Sequence, residues 1–165
     1  MVTKKKLKKI PFFWGFSEKQ LDMLVEQESL LAKFKPNDII IQEGDDVNKD
    51  LFIILEGRVN VTRTTSTGSE HVITTLEAGA IFGEISFLIG RSRTTNVVAA
   101  DKVMTFQISS NALQSFGYQI HIMIKDKLIE LLVRRLEKMN DIFIQKDRSN
   151  QQLIDALRSA TLLGQ

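Results

Sequence analysis

Glu84 and Arg93 stand nine residues apart in the stretch FGEISFLIGRSRTT, residues 82–95. A guanidinium carries two parallel donors that match two oxygens of a phosphate. A carboxylate only accepts, so it suits a pair of sugar hydroxyls and would repel a phosphate set against it. Gly83, which projects nothing from its α-carbon, lets backbone come close to a ligand. EISFLIG is long enough for one helical turn, whose free N–H groups (Ile85 and Ser86 among them) and dipole attract an anion. Phosphate at one end and ribose hydroxyl at the other describe a nucleotide. The same residues also suit a Glu84–Arg93 ion pair that braces the fold with no ligand. Spacing alone leaves both readings open.

Other chemistries find less support. The two histidines, His71 and His121, have no paired spacing, so each reads as an ordinary side chain and no metal site is expected. With no cysteine and no G-x-S-x-G, nucleophilic acyl transfer has no candidate. No catalytic residue and no cofactor is expected.

The elements that must hold Glu84 and Arg93 fall into three zones. Residues 1–34 read as a helical segment. Ser17 and Gln20 have the spacing of a capping box, and Leu21, Leu24, Val25, Leu30, Leu31 and Phe34 form an apolar stripe. PFFWGF before them reads as a turn whose aromatics cover one end of the core. Residues 35–108 read as strands: IIIQ, LFIIL, RVNVTRT, EHVITTL, TTNVVAA and KVMTFQI are separated by KPND, EGDD, EGR, STGS, EAGA and IGRS. In RVNVTRT, Val59, Val61 and Arg63 alternate with Arg58, Asn60 and Thr62. Residues 109–165 are helical again. Ile129, Leu132, Leu136, Met139 and Phe143 alternate at spacings of three and four, a heptad seam that falters at Lys146 and Asn150 and resumes at Leu153 and Leu157. The expected fold is α+β, mainly β: an eight-stranded jelly-roll barrel with an N-terminal helix and C-terminal helices.

Composition bounds the rest. The chain has 165 residues, 43% of them apolar, enough for one domain with a proper core, or a domain plus an extension. Lysine and arginine outnumber aspartate and glutamate by 22 to 20, too balanced to imply nucleic acid. The excess lies in KKKLKK, residues 4–9, read as a solvated face of a first amphipathic turn. No apolar run approaches the ~20 residues of a membrane span, and no secretory signal is visible. With no cysteine, this reads as a cytoplasmic protein.

Over nearly its whole length the sequence resembles the cyclic nucleotide-binding domains of bacterial catabolite activators, cyclic-nucleotide-dependent kinases and gated channels. The segments carrying the likeness are LKKIPFFWGFSEKQLDML, IIIQEGDDVNKDLFIILEGRVNV and LEAGAIFGEISFLIGRSRTTNVVA. The most specific motif is FGE…RTT, the family's phosphate-binding cassette, here 82–95. The resemblance implies cAMP or cGMP as ligand. It brings Gly83 and the Ile85 and Ser86 amides near the ligand, sets Glu84 on the ribose 2′-hydroxyl and Arg93 on the cyclic phosphate, and gives Thr94 and Thr95 to the phosphate or base. Met139 and Asn140 lie where relatives reach the base, and Gly44 and Gly57 match turn glycines. It implies a sensor whose C-terminal helices move on binding and act on an effector the sequence does not name. A homodimer through 120–145 is expected from the seam. About 21 residues follow the seam's break, too few for a helix-turn-helix domain, so no DNA-binding domain is expected. The alternative is a degenerate member serving as an adaptor through its helices without ligand.

Overall fold

The computed structural model describes residues 2–65 and 68–163. Ser66 and Thr67 of the STGS stretch, Gln165 and the side chain of Leu157 lie outside what it describes. The chain divides into two compact units, Met1–Ile122 and Met123–Gln165.

The first unit opens with a short helix, α1 (Lys4–Leu7), a 3-10 turn at Pro11–Phe13 and α2 (Glu18–Val25). Helix α2 starts where the capping box puts it. The Gln20 amide donates to Ser17 Oγ at 3.3 Å, and the Ser17 amide donates to Gln20 Oε1 at 2.8 Å. Phe12, Phe13 and Phe16 are buried, and Phe13 meets Phe106 edge-on at 5.8 Å, so these rings do cover one end of the core. Trp14 departs from them. It is exposed, with its indole N–H donating to the Lys8 carbonyl.

The helical stripe read through Phe34 ends at Val25. Glu28–Leu30 is a 3-10 turn, and Leu31–Phe34 is a strand, β1. Seven more strands follow: β2 (Ile39–Ile41), β3 (Leu51–Glu56), β4 (Arg58–Thr64), β5 (Glu70–Glu77), β6 (Ile81–Phe82), β7 (Asn96–Ala99) and β8 (Val103–Ile108). They form two four-stranded antiparallel sheets, ordered β1-β8-β3-β6 and β2-β7-β4-β5, a jelly roll. What makes β1 a strand is its distant partner, with Leu31 opposite Phe106 and Phe34 opposite Val103.

The first five residues of β3, LFIIL, are buried on both faces, as a continuous apolar run requires. In β4 the alternation read from sequence holds through Val61 and then reverses: Thr62 is buried and Arg63 exposed. Pairing with β5 slips at that point, Val61 opposing Thr74 and Thr62 opposing Val72, and a bulge of this kind re-aims side chains. The turn between β3 and β4 depends on Gly57. Its φ is +83°, and a Cβ there would lie 2.3 Å from the Lys102 carbonyl oxygen.

Phe52, Ile54, Val59, Phe82, Val97 and Val103 form the core between the sheets, with the Phe52 and Phe82 rings stacked at 5.0 Å. Three of the five lysines of KKKLKK are engaged by acids. Lys4 bridges Asp22 at 2.7 Å and Glu18 at 3.6 Å, Lys8 pairs with Glu18, and Lys6 pairs with Glu56.

The remaining helices are α3 (Glu84–Ile89), α4 (Ser110–Ser115) and α5 (Tyr118–Leu163). Ser109 caps α4 by accepting from the Ala112 amide at 3.1 Å. The second unit is drawn from α5. Ile129, Leu136, Met139 and Phe143 of the seam are exposed and Leu132 is half-buried.

Candidate functional site

The cassette runs from β6 through α3 to the start of β7. Phe82 is pinned against Phe52, and Gly83 then takes a left-handed turn, φ +80°, that starts α3 at Glu84. Helix α3 ends at a second left-handed glycine, Gly90, φ +69°. Glu84 and Ser86 are buried, while Ile85 between them is exposed. After a short loop Arg93 is buried, at 4% exposure, with Thr94 exposed and Thr95 half-buried beside it.

The Arg93 guanidinium is held by backbone. Nε donates to the Asn48 carbonyl at 2.8 Å, Nη1 to the Gly83 carbonyl at 3.0 Å and Nη2 to the Asp50 carbonyl at 2.8 Å, with a longer contact at 3.5 Å from Nη2 to Asn48 Oδ1. None of these four bonds goes to Glu84. The Arg93 main chain is tied to the same loop, its amide donating to the Asp45 carbonyl and its carbonyl accepting from the Gly44 amide, both at 2.8 Å. Burial lowers the guanidinium's pKa, and the nearby charges of Asp50, Asp45 and Glu84, in that order, oppose the shift. A cation so enclosed favours an anion beside it, since carbonyl dipoles position it without neutralising it.

Gly83 therefore has a more specific role than open access for a ligand. A Cβ there would lie 2.7 Å from the Asp50 carbonyl oxygen and 2.8 Å from Arg93 Nη1. The missing side chain is the space the guanidinium occupies.

The loop before β3 is braced in turn. Asp45 Oδ1 accepts from the Val47 amide at 2.8 Å, Asn48 Oδ1 from the Asp50 amide at 2.9 Å, and Asp50 Oδ2 from Gln107 Nε2 at 2.6 Å. Ser92 donates to Asp46 Oδ1 at 3.2 Å, and the hydrogen bond from Lys49 holds the Asp46 carboxyl below its usual range. Sequence reading assigned nothing to Asp45, Asn48 or Asp50. The cue was the EGDDVNKD run, rich in Asp and Asn that turn on their own backbone.

The first unit thus brings Gly83, Glu84, Ile85, Ser86, Arg93, Thr94 and Thr95 into one segment around a buried acid and a buried base. Met139 and Asn140 lie on α5 in the second unit, both exposed. Among the described residues no group of three or more histidines or acids could hold a metal ion, and no helix is long and apolar enough to cross a membrane.

Comparison with known proteins gives this segment its context. Residues 31–117, which include the whole cassette, match the family model described as the cyclic nucleotide-binding domain. The cyclic nucleotide-gated channel beta-3 of Canis lupus familiaris is 33% identical over 127 residues, covering 74% of this chain but 15% of the channel. A solved cyclic nucleotide-binding domain from Methylobacillus flagellatus superposes with a TM-score of 0.70 at 26% identity, covering 86% of this chain and 80% of that one. The regulatory subunit of a cAMP-independent protein kinase A from Trypanosoma brucei superposes with a TM-score of 0.62 at 27% identity, covering 81% of this chain and 45% of that one. With the whole cassette inside the matched region, and a third of the aligned residues identical to those of a cyclic nucleotide-gated channel, the chain belongs to the cyclic nucleotide-binding domain family.

Proposed function

We propose that the chain is a cyclic nucleotide sensor, a binding module with no catalytic step of its own, working in the cytoplasm. Arg93 and the Ile85 and Ser86 amides bind the cyclic phosphate, Glu84 takes the ribose 2′-hydroxyl, and Thr94 and Thr95 meet the phosphate or the base. Met139 and Asn140 are carried over from the family resemblance as contacts to the base. The observation that carries this reading is the presence of a buried Glu84 and a buried Arg93 inside the matched cassette. The ligand is cAMP or cGMP. Its binding shifts the C-terminal helices between two sets of contacts, the differential interaction any such coupling needs. Helix α5 joins two copies through its exposed seam and passes the change to an effector.

A second reading has an observation of its own. Arg93 makes four hydrogen bonds to Asn48, Gly83 and Asp50, so its guanidinium donors are committed to partners inside the protein. The Trypanosoma relative described as cAMP-independent shares this fold. Under that reading the chain is an adaptor acting through its helices. Calorimetry of the purified chain with cAMP and cGMP separates the two: saturable heat lost in Arg93→Lys supports the sensor, and no heat with either nucleotide supports the adaptor.

A further inference from the structure

Away from the cassette, α1, the 3-10 turn after it, the end of β3 and the β5–β6 turn enclose a groove of about 500 Å³, within the size range of ligand pockets. Its lining includes Lys5, Lys6 and Lys9, the buried Ile10 and Leu55, and the exposed Ala78. Lys6 is occupied by Glu56. Lys5 and Lys9 have no acidic partner among the described residues, although Lys4, Lys6 and Lys8 all do. The groove thus offers two cations without an acidic partner among the described residues and an apolar floor, all within the first unit.

We propose that this groove docks an acidic segment of a partner protein, with carboxylates on Lys5 and Lys9 and an apolar side chain against Ile10, Leu55 and Ala78. Charge complementarity selects the occupant, and the setting argues against a membrane. The one apolar residue of α1, Leu7, is fully buried, so the lysine turn has nothing to insert into a bilayer. The exposed Trp14 has its N–H committed to the Lys8 carbonyl. Glu18, Asp22 and Glu56 stand among the lysines, where they would repel a continuous sheet or strand of phosphates but not a short segment placing its own carboxylates. The proposal is independent of nucleotide binding.

The test uses the full chain, isotope-labelled for amide NMR and titrated with a short peptide of glutamates flanking a leucine pair. Saturable shifts are expected at Lys5, Lys9, Ala78 and Gly79. They should weaken about fivefold when Lys5→Gln and Lys9→Gln are combined, the loss for two exposed ion pairs. Both lysines are exposed, so the variant keeps its fold, and Ala78→Glu, also at an exposed position, should weaken binding by repulsion. Absence of shifts at Ala78 and Gly79, or equal shifts with a glutamine version of the peptide, overturns the proposal. So does lysine-dependent sedimentation with phosphatidylserine vesicles in the absence of peptide shifts, which would make this a membrane contact instead.

Discussion

Arg93 Nη2 donates to the Asp50 carbonyl at 2.8 Å, while the Asp50 carboxylate accepts from Gln107 on β8 at 2.6 Å. One residue thus ties the cassette to the β8 sheet through two different groups. An anion that drew the guanidinium forward would pull on the loop that carries Asp50, which Gln107 of β8 also holds.

Arg93→Lys should weaken nucleotide binding although the charge is kept. Lysine lacks the planar fork, and a charge-assisted hydrogen bond is worth about 1.5–3 kcal/mol, roughly tenfold to a hundredfold in Kd. Because Arg93 also holds Asn48 and Asp50, a lower urea midpoint should accompany the loss. Arg91→Ala, in the exposed loop, should change neither calorimetry nor unfolding. Tight binding by the lysine variant with loss in Arg91→Ala would move the phosphate contact to Arg91.

Glu84→Gln should cost the ribonucleotide more than its 2′-deoxy analogue, by about 1 kcal/mol or roughly fivefold. The deoxy ligand has no hydroxyl for the carboxylate to accept from. Competition binding with the two ligands measures the difference, and equal losses would assign Glu84 to the fold.

Gly83→Ala should destabilise the protein more than Gly44→Ala. Both glycines are left-handed, which costs an alanine about 1–2 kcal/mol. A Cβ at Gly44 meets nothing within 4 Å, whereas at Gly83 it collides with the Asp50 carbonyl and Arg93. Urea unfolding of the pair should place the larger loss at Gly83, with ligand affinity falling there too. Equal losses would mean the guanidinium moves aside at no cost.

Thr94→Ala should reduce cGMP affinity more than cAMP affinity, by about 1 kcal/mol, if the exposed hydroxyl accepts from the guanine amino group. Parallel calorimetry reads this directly. Equal losses would put the hydroxyl on the phosphate.

Leu136→Asp should abolish self-association through α5. Ile129, Leu136, Met139 and Phe143 form an exposed heptad seam, and a charge in such a seam stays unpaired in the dimer. Sedimentation should show a wild-type dimer and a mutant monomer. A wild-type monomer at high concentration, with and without nucleotide, would remove dimerisation from the proposal.

Most strands were legible because β-branched runs and turn residues are local signals, and Glu84 announced itself by being charged in an apolar run. Leu31–Phe34 was not, since Leu30, Leu31 and Phe34 suit a helix as well as a strand end, and pairing with Phe106 and Val103, some 70 residues away, decides between them. The anchors of Arg93 were hidden for another reason. Asn48, Gly83 and Asp50 serve through backbone carbonyls, which almost any residue could supply. The lysine run read as solvated, and only folding brought Asp22 and Glu56 against it.

Helix α3 lies between two left-handed glycines, with the stacked Phe52 and Phe82 rings immediately before the first. Mechanically this is a short rod held differently at its two ends. Gly83 is clamped, its carbonyl accepting from Arg93 and its α-carbon against the Asp50 carbonyl, whereas Gly90 faces open space and keeps a glycine's wide range of backbone angles. A load applied to α3 should therefore be taken up by rotation at Gly90 before it shifts Gly83. The barrel serves as the fixed frame against which that rotation is measured.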